Sequence, residues 1–425
     1  MGQAHYNYNK IASSSEISHI SSVPACEHKE SPMKILLVPD SYLPSLGGLE
    51  LNTHELAKAL SKKGHDVVVL TSNFGLWRLA HHEKIDGIDI FRLPFYLFRG
   101  SLKSLLAFLI CFPIALLGTC ALIRKFDPDI INVHYTGVIA LYILLADFFK
   151  SKPLVVTLHG NEIINIPDVP QMDNKVYART KLLQRIIRSL LNRADHITAV
   201  SEFLLKAAND SNNLVGSKST RIFMGGFRPK HVSSSSTSIF SPFILAVGRL
   251  TKQKGFDLLI DAFKPLSEIH KEVSLIIIGD GAEREHLTEK IKQHNLVDRI
   301  ILKGSLRRDE ILPYYEGCLF VVFSSRWEGL PTVIWEAFSF GKPVVAPAVC
   351  GIPEVVLDNI NGLLTEKENI QQLSDAMEKL LTNESLGKRL GTAAKNFMDE
   401  IGGYDKSAER YLEVYRQILM IKGNR

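Results

Sequence analysis

SSRWEGLPTVIWEAFSFGKPVVAP, Ser324 to Pro347, is the stretch on which the reading of this chain turns. An apolar run, CLFVVFSS (Cys318 to Ser325), leads into it as a buried strand. Pro331 suits the first turn of the helix that follows, whose opening amides have no partner within the helix. Such amides form an anion site. Glu328 stands in the loop and Glu336 about two turns farther on, so one carboxylate can meet a sugar at the helix mouth while the other reaches a second polyol. A sugar nucleotide, with hexose, diphosphate and ribose in series, has that layout. Two glutamates at this spacing also occur by chance, so the neighbouring segments must decide.

FILAVGRLTKQKGFDLLIDAF, Phe243 to Phe263, reads as a buried strand, a Gly-Arg turn and a helix opening near Gly255. Arg249 and Lys254 fall on the loop, where a strand's carboxyl end meets a helix start and where ligands bind in open α/β sheets. Two cations there suit a diphosphate, and an exposed loop lysine should contribute little to folding. Upstream, MKILLVPDSYLPSLGGLELNTHELAKALSKKGHDVVVLT, Met33 to Thr71, reads as strand, Gly-Gly loop, amphipathic helix and strand. Gly47 and Gly48 let the backbone approach a ligand closely. LVVTLHGNE, Leu154 to Glu162, ends another buried strand with His159, at a carboxyl end that would face a cleft.

Glu-x7-Glu with Gly-Leu-Pro after the first acid, preceded by G-R-L-x-x-x-K-G at 248–255 and by an N-terminal glycine loop, resembles the retaining glycosyltransferases of family 4, which have the GT-B fold. The resemblance covers nearly everything from Met33 onward. It implies that Glu336 holds the ribose hydroxyls, that Glu328 with Gly329 and Leu330 holds the donor sugar, and that Arg249 and Lys254 clamp the diphosphate. It further implies that Gly47 and Gly48 lie beside the diphosphate and acceptor, with His159 against the donor sugar. The family needs no metal and no cofactor, and its front-face mechanism lets the departing phosphate help to deprotonate the acceptor hydroxyl.

Length and pattern agree with that expectation. The 425 residues exceed one usual domain, and 46% hydrophobic content suffices for two cores. Strand and helix signals alternate, which argues for α/β architecture, parallel sheets with helices on both faces. The resemblance implies that these form two Rossmann-like doubly wound domains facing a cleft. The expected divisions are a disordered leader over 1–32, an acceptor-binding domain over 33–230, a linker over 231–241 and a nucleotide-sugar-binding domain over 242–400. A final amphipathic helix is expected over 401–425, and the resemblance implies that it crosses back to the first domain. The leader is polar and Ser-rich without an apolar stretch, so it reads as no signal peptide, with Met33 as the expected functional start.

Five scattered cysteines, Cys26, Cys111, Cys120, Cys318 and Cys350, lack metal-ligand spacing and suit reduced thiols in a cytoplasmic protein. Asp127 and Asp129 precede the strand IINVH in KFDPDIINVH and are read as structural. The net charge of +5 is too small to imply nucleic acid. Its distribution is uneven: Lys175, Arg179, Lys181, Arg185, Arg188 and Arg193 stand without an acid among Leu182, Leu183, Ile186, Ile187, Leu190 and Leu191, a composition that suits a membrane surface or a core-packed helix with a basic face. SLLAFLICFPIALLGTCALI, Ser104 to Ile123, is long enough to span a bilayer. Spanning would tear apart the sheet on either side, which leaves a helix that dips into a membrane, one that faces a partner, or a core helix.

These readings converge on a retaining, metal-independent enzyme that moves a sugar from a nucleotide-diphosphate donor to a glycan or lipid-linked glycan acceptor, in peripheral contact with the inner face of the cytoplasmic membrane. The alternatives are a catalytically inactive partner subunit and a nucleotide-sugar epimerase.

Overall fold

A computed structural model describes residues 31–44, 47–73, 79–97, 101–134, 137–149, 151–160, 174–212, 219–226 and 242–423. Most of the expected leader and the whole expected linker lie outside these residues. The first half of the chain runs β1 (Lys34–Pro39), α1 (Gly48–Lys62), β2 (Asp66–Ser72), β3 (His82–Ile85), β4 (Ile88–Leu93), α2 (Leu102–Phe126), β5 (Ile130–His134), α3 (Ile139–Phe149), β6 (Leu154–Leu158), α4 (Asn174–Arg193), β7 (His196–Ala199), α5 (Glu202–Asn212) and β8 (Ser219–Arg221). Its eight strands form one sheet, ordered β3-β4-β2-β1-β5-β6-β7-β8. Only the β3/β4 pair is antiparallel. Parallel strands covered on both faces must be apolar throughout, and KILLVP and LVVTL are buried almost without interruption.

The second half runs β9 (Phe243–Val247), α6 (Phe256–Ile269), β10 (Ser274–Ile278), α7 (Arg284–Gln293), β11 (Ile300–Gly304), α8 (Arg308–Gly317), β12 (Val321–Val322), α9 (Thr332–Ser339), β13 (Val344–Pro347), β14 (Gly362–Thr365), α10 (Ile370–Thr382), α11 (Glu384–Ile401) and α12 (Gly403–Gly423). The six strands form an all-parallel sheet, ordered β11-β10-β9-β12-β13-β14. The strand expected over Cys318 to Ser325 is ladder-paired only at Val321 and Val322. Backbone bonding continues on either side, with Leu319 donating to Phe243 and Phe323 to Val345, and beyond it Ser324 Oγ donates to the Lys254 carbonyl at 3.0 Å.

The chain crosses between the halves twice. After the second sheet is complete, α12 packs against α1 and sends Tyr411, Leu412, Tyr415 and Ile418 into the core of the first sheet. Asn132 on β5 donates to the Tyr415 hydroxyl at 2.7 Å. The final helix thus returns to the first half, as the sequence suggested. Ser407 ties the two crossings together: its Oγ accepts from the Gly225 amide at 2.9 Å and donates to the Phe223 carbonyl at 2.7 Å.

Two segments read from composition need closer placement. The apolar helix α2 buries Cys111, Ala115, Thr119, Leu122 and Ile123. It packs on β4 and α3, so it lies along the sheet rather than standing out as a span. It is no core helix either, because only 28% of its most apolar eighteen residues are buried. On α4, Ile186, Ile187, Leu190 and Leu191 are buried, whereas Leu182, Arg185 and Arg188 are exposed. Arg193 is ion-paired with Asp147 at 2.6 Å. The side chains of Lys175, Arg179 and Lys181 lie outside the described set.

Candidate active site

A cleft of about 570 Å³ opens between the carboxyl ends of the two sheets. The first half contributes Gly47, Gly48 and His159 to its walls; the second contributes Arg249, Lys254, Glu328, Gly329, Leu330 and Glu336. The fold therefore gathers into one cleft every candidate site residue that the motifs pointed to. Gly47 precedes α1 and Gly48 begins it. His159 follows β6, and Arg249 and Lys254 occupy the loop between β9 and α6. Pro331 caps α9, with Glu328 three residues before the cap and Glu336 on the helix itself.

Two glycines let the walls meet. A Cβ on Gly329 would lie 2.1 Å from the His159 carbonyl oxygen, and one on Gly48 would lie 2.6 Å from Thr332 Oγ1. Any side chain at Gly329 would collide with backbone, so the approach of the two halves at this point requires glycine.

The charged groups are not evenly exposed. Arg249 is exposed at the mouth. Lys254, by contrast, is ion-paired to Glu328 with 16% and 7% of the two side chains exposed, and Ser325 Oγ donates to the same carboxylate at 2.8 Å. This corrects the expectation of a solvated loop lysine irrelevant to folding. A buried carboxylate deprived of its cation would be left uncompensated. Glu336 accepts a hydrogen bond from the Tyr315 hydroxyl at 2.6 Å. Burial raises the Glu336 carboxyl above its ordinary range, against the opposing influence of Tyr315 and Arg308.

His159 is backed by a second histidine. His134 Nδ1 lies 3.2 Å from His159 Nε2, and His134 is fully buried at the end of β5. Burial pushes His159 down to about 3, and burial together with the neighbouring ring holds His134 well below its usual value. Both rings are therefore neutral at neutral pH, and one donates to the other.

Sequence reading missed His134, Tyr315, Arg308 and Tyr404. Tyr315 and Arg308 sit on α8, in RRDEILPYYE, which carries no recognisable signal of its own. Tyr404 begins α12 and donates to Asn52 Oδ1 on α1, beside the cleft. Among the described residues there is no cluster of three or more His, Cys, Asp or Glu that could hold a metal. Asp127 caps α2 and pairs with Lys152 at 2.8 Å, while Asp129 accepts from the Lys34 amide at 2.8 Å.

Two parallel sheets with helices on both faces, joined by a crossing C-terminal helix over a cleft that holds cations and carboxylates, define the GT-B class of transferase. Two family models match: Glycosyltransferase Family 4 over residues 46–223 and Glycosyl transferases group 1 over residues 235–397. The chain belongs to this family of glycosyltransferases and is an enzyme of that kind. It is 26% identical over 402 residues to the phosphatidylinositol N-acetylglucosaminyltransferase GPI3 subunit of Saccharomyces cerevisiae, covering 90% of this chain and 83% of that protein. In fold it is similar to sucrose-phosphate synthase from Thermosynechococcus elongatus, with a TM-score of 0.76 at 19% identity over 91% of this chain and all of that one. It is also similar to HepE of Anabaena solved in complex with UDP-glucose, with a TM-score of 0.68 at 21% identity, covering 91% of this chain and 100% of that chain.

Proposed function

We propose that this chain moves a sugar from a nucleoside-diphosphate donor to a hydroxyl of a lipid-linked or surface-polysaccharide glycan, with retention at the anomeric carbon and without a metal. The observation that carries the reading is the cleft itself, in which Arg249, the Lys254/Glu328 pair and the mouth of α9 converge opposite Gly47 and Gly48. Breaking the glycosidic bond leaves negative charge on the diphosphate. Arg249, Lys254 and the opening amides of α9 are the groups to stabilise that charge as it develops. Glu336, held by Tyr315, takes the ribose hydroxyls; Glu328, Gly329, Leu330 and His159 take the donor sugar. No side chain stands out as a covalent nucleophile, so the departing phosphate assists deprotonation of the acceptor. The UDP-glucose bound by the Anabaena protein and the phosphatidylinositol in the yeast relative's name support a nucleotide-sugar donor and a lipid acceptor. On this reading the protein works in the cytoplasm, peripherally on the inner face of the cytoplasmic membrane.

The test starts from a panel of nucleotide sugars screened by thermal shift, because ligand binding raises stability by an amount set by its concentration and dissociation constant. The selected donor is then followed by NMR through transfer. Retention of the anomeric configuration and turnover that persists with EDTA are the expected results. An inverted product, a glycosyl-enzyme adduct or metal-dependent turnover would overturn the mechanism. Conversion of donor without an acceptor would favour an epimerase instead, and an inactive protein that binds no donor would favour a partner subunit.

A further inference from the structure

The outward face of α2 is an unbroken apolar stripe. Leu102, Leu106, Leu109, Ile110, Ile114 and Leu117 are all exposed, Leu117 by 68%. Apart from the adjacent pair Leu109 and Ile110 they recur at three- and four-residue intervals, so they share one side of the helix along a length of about 22 Å. The opposite side is packed on β4 and α3. Helix α3 lies between α2 and α4 and ends in Phe148 and Phe149, 86% and 61% exposed. Folded chains rarely leave so contiguous an apolar surface in water unless something covers it.

The charges carried by α2 itself have one sign, and the acid that caps it, Asp127, is paired with Lys152. Lys103 near its start and Arg124 and Lys125 at its end are exposed, and α2 carries no acid. Neighbouring α4 adds Arg185 and Arg188 on its exposed side and likewise has no acid. An apolar band rimmed by cations is complementary to a surface with an anionic headgroup layer over hydrocarbon. Position agrees with charge. In a parallel sheet each crossover helix starts at the strands' carboxyl ends, the edge where β1 and β6 reach the cleft beside Gly48 and His159. The stripe therefore begins on the cleft side of the first half.

We propose that the outward face of α2, together with the end of α3 and the exposed cations of α4, docks this protein on an anionic lipid bilayer, with α2 lying in the interface rather than crossing it. The proposal does not rest on the transfer reading, since none of these residues lines the cleft.

Flotation of the purified full chain with vesicles of phosphatidylcholine, with and without one third phosphatidylglycerol, tests the docking. Wild type should float with the anionic vesicles at low salt and bind less as salt rises. L106Q/L109Q/I110Q should reduce partitioning by at least about a hundredfold, because three side chains lose their burial in lipid. K103Q/R124Q/K125Q should reduce it by about a hundredfold through lost attraction. Both variants should keep the wild-type melting temperature and donor-induced thermal shift, which separates lost docking from lost folding or a failed donor site. Wild type that ignores anionic vesicles at low salt, or an apolar variant that floats as well as wild type, would overturn the proposal. So would a wild-type dimer in light scattering that the apolar variant abolishes, since a second copy of the chain would then own the face.

Discussion

Lys254 and Glu328 form a largely buried ion pair, and removing the lysine has two separable consequences. Lys254→Ala should lower kcat by about 10²–10³ at saturating donor, the cost of one group aimed at charge that grows in the transition state. It should also destabilise the fold, by up to about 3–5 kcal/mol, because Glu328 is left buried without its cation. Lys254→Ala combined with Glu328→Gln should recover most of the melting temperature and none of the rate, as read by thermal melts beside kinetics. The second acid behaves differently. Glu336→Ala should raise KM for the donor more than it lowers kcat, Tyr315→Phe should do the same more weakly, and Glu328→Ala should fall mainly on kcat. Steady-state kinetics with varied donor separates these patterns. His159 predicts a pH effect. With its folded value pushed down to about 3 from 6.5, the unfolded chain binds more protons in between, so stability present above 6.5 is lost as pH falls toward 3. The slope is up to about 1.4 kcal/mol per pH unit, and His134 adds the same sign. Asp40, raised to about 6 by burial, opposes it: its contribution is present below 3.8 and is lost as pH rises through 6. Comparing wild type with His159→Asn by urea unfolding at several pH values cancels Asp40 and should show a shallower acid loss in the variant.

At the scale of elements, α12 does for the first sheet what no local segment does. Tyr411 and Tyr415 are fully buried against strands almost three hundred residues earlier in the chain, the Asn132 to Tyr415 hydrogen bond spanning 283 positions. Tyr411→Ala should therefore cost about 3–5 kcal/mol, the range for emptying an aromatic site in a core. The loss should appear as early melting of the first half, followed by hydrogen exchange in β5 and β6, rather than in the second sheet. Helix α9 works on the opposite principle. It is only eight residues long and gains little from propensity, yet Ile334, Trp335, Ala337 and Phe338 pin it in the core and leave its mouth and Glu336 at the cleft.

For the whole molecule, the two halves pass backbone against backbone at Gly329 and His159. Gly329→Ala adds one methyl group there and should push the walls apart. A displacement of about 1 Å in reacting geometry costs on the order of a hundredfold, so kcat/KM should fall by about that factor. Small-angle scattering should show a larger radius of gyration for the variant, with secondary structure by circular dichroism unchanged.

Legibility followed contact distance along the chain. The parallel strands announce themselves as continuous apolar runs, and the Glu328 to Glu336 and Arg249 to Lys254 segments place their groups within a few residues of one another, where local geometry alone sets the spacing. The sequence by itself therefore determined the α/β class, the two sheets and which glycines, cations and carboxylates stand at the ends of their strands. Partners across long separations were not legible, because packing and not spacing brings them together: Tyr315 reaches Glu336 across 21 positions, His134 reaches His159 across 25, and Tyr404 reaches Asn52 across 352. The stability role of Lys254 was hidden for the same reason, since its loop looks solvated until Glu328 closes over it. Helix α2 is the sharpest case. Its composition suits a span, a core helix or a helix that faces a membrane or a partner alike, and only the tertiary structure, by burying one face against β4 and α3 and leaving the other bare, removed the first two.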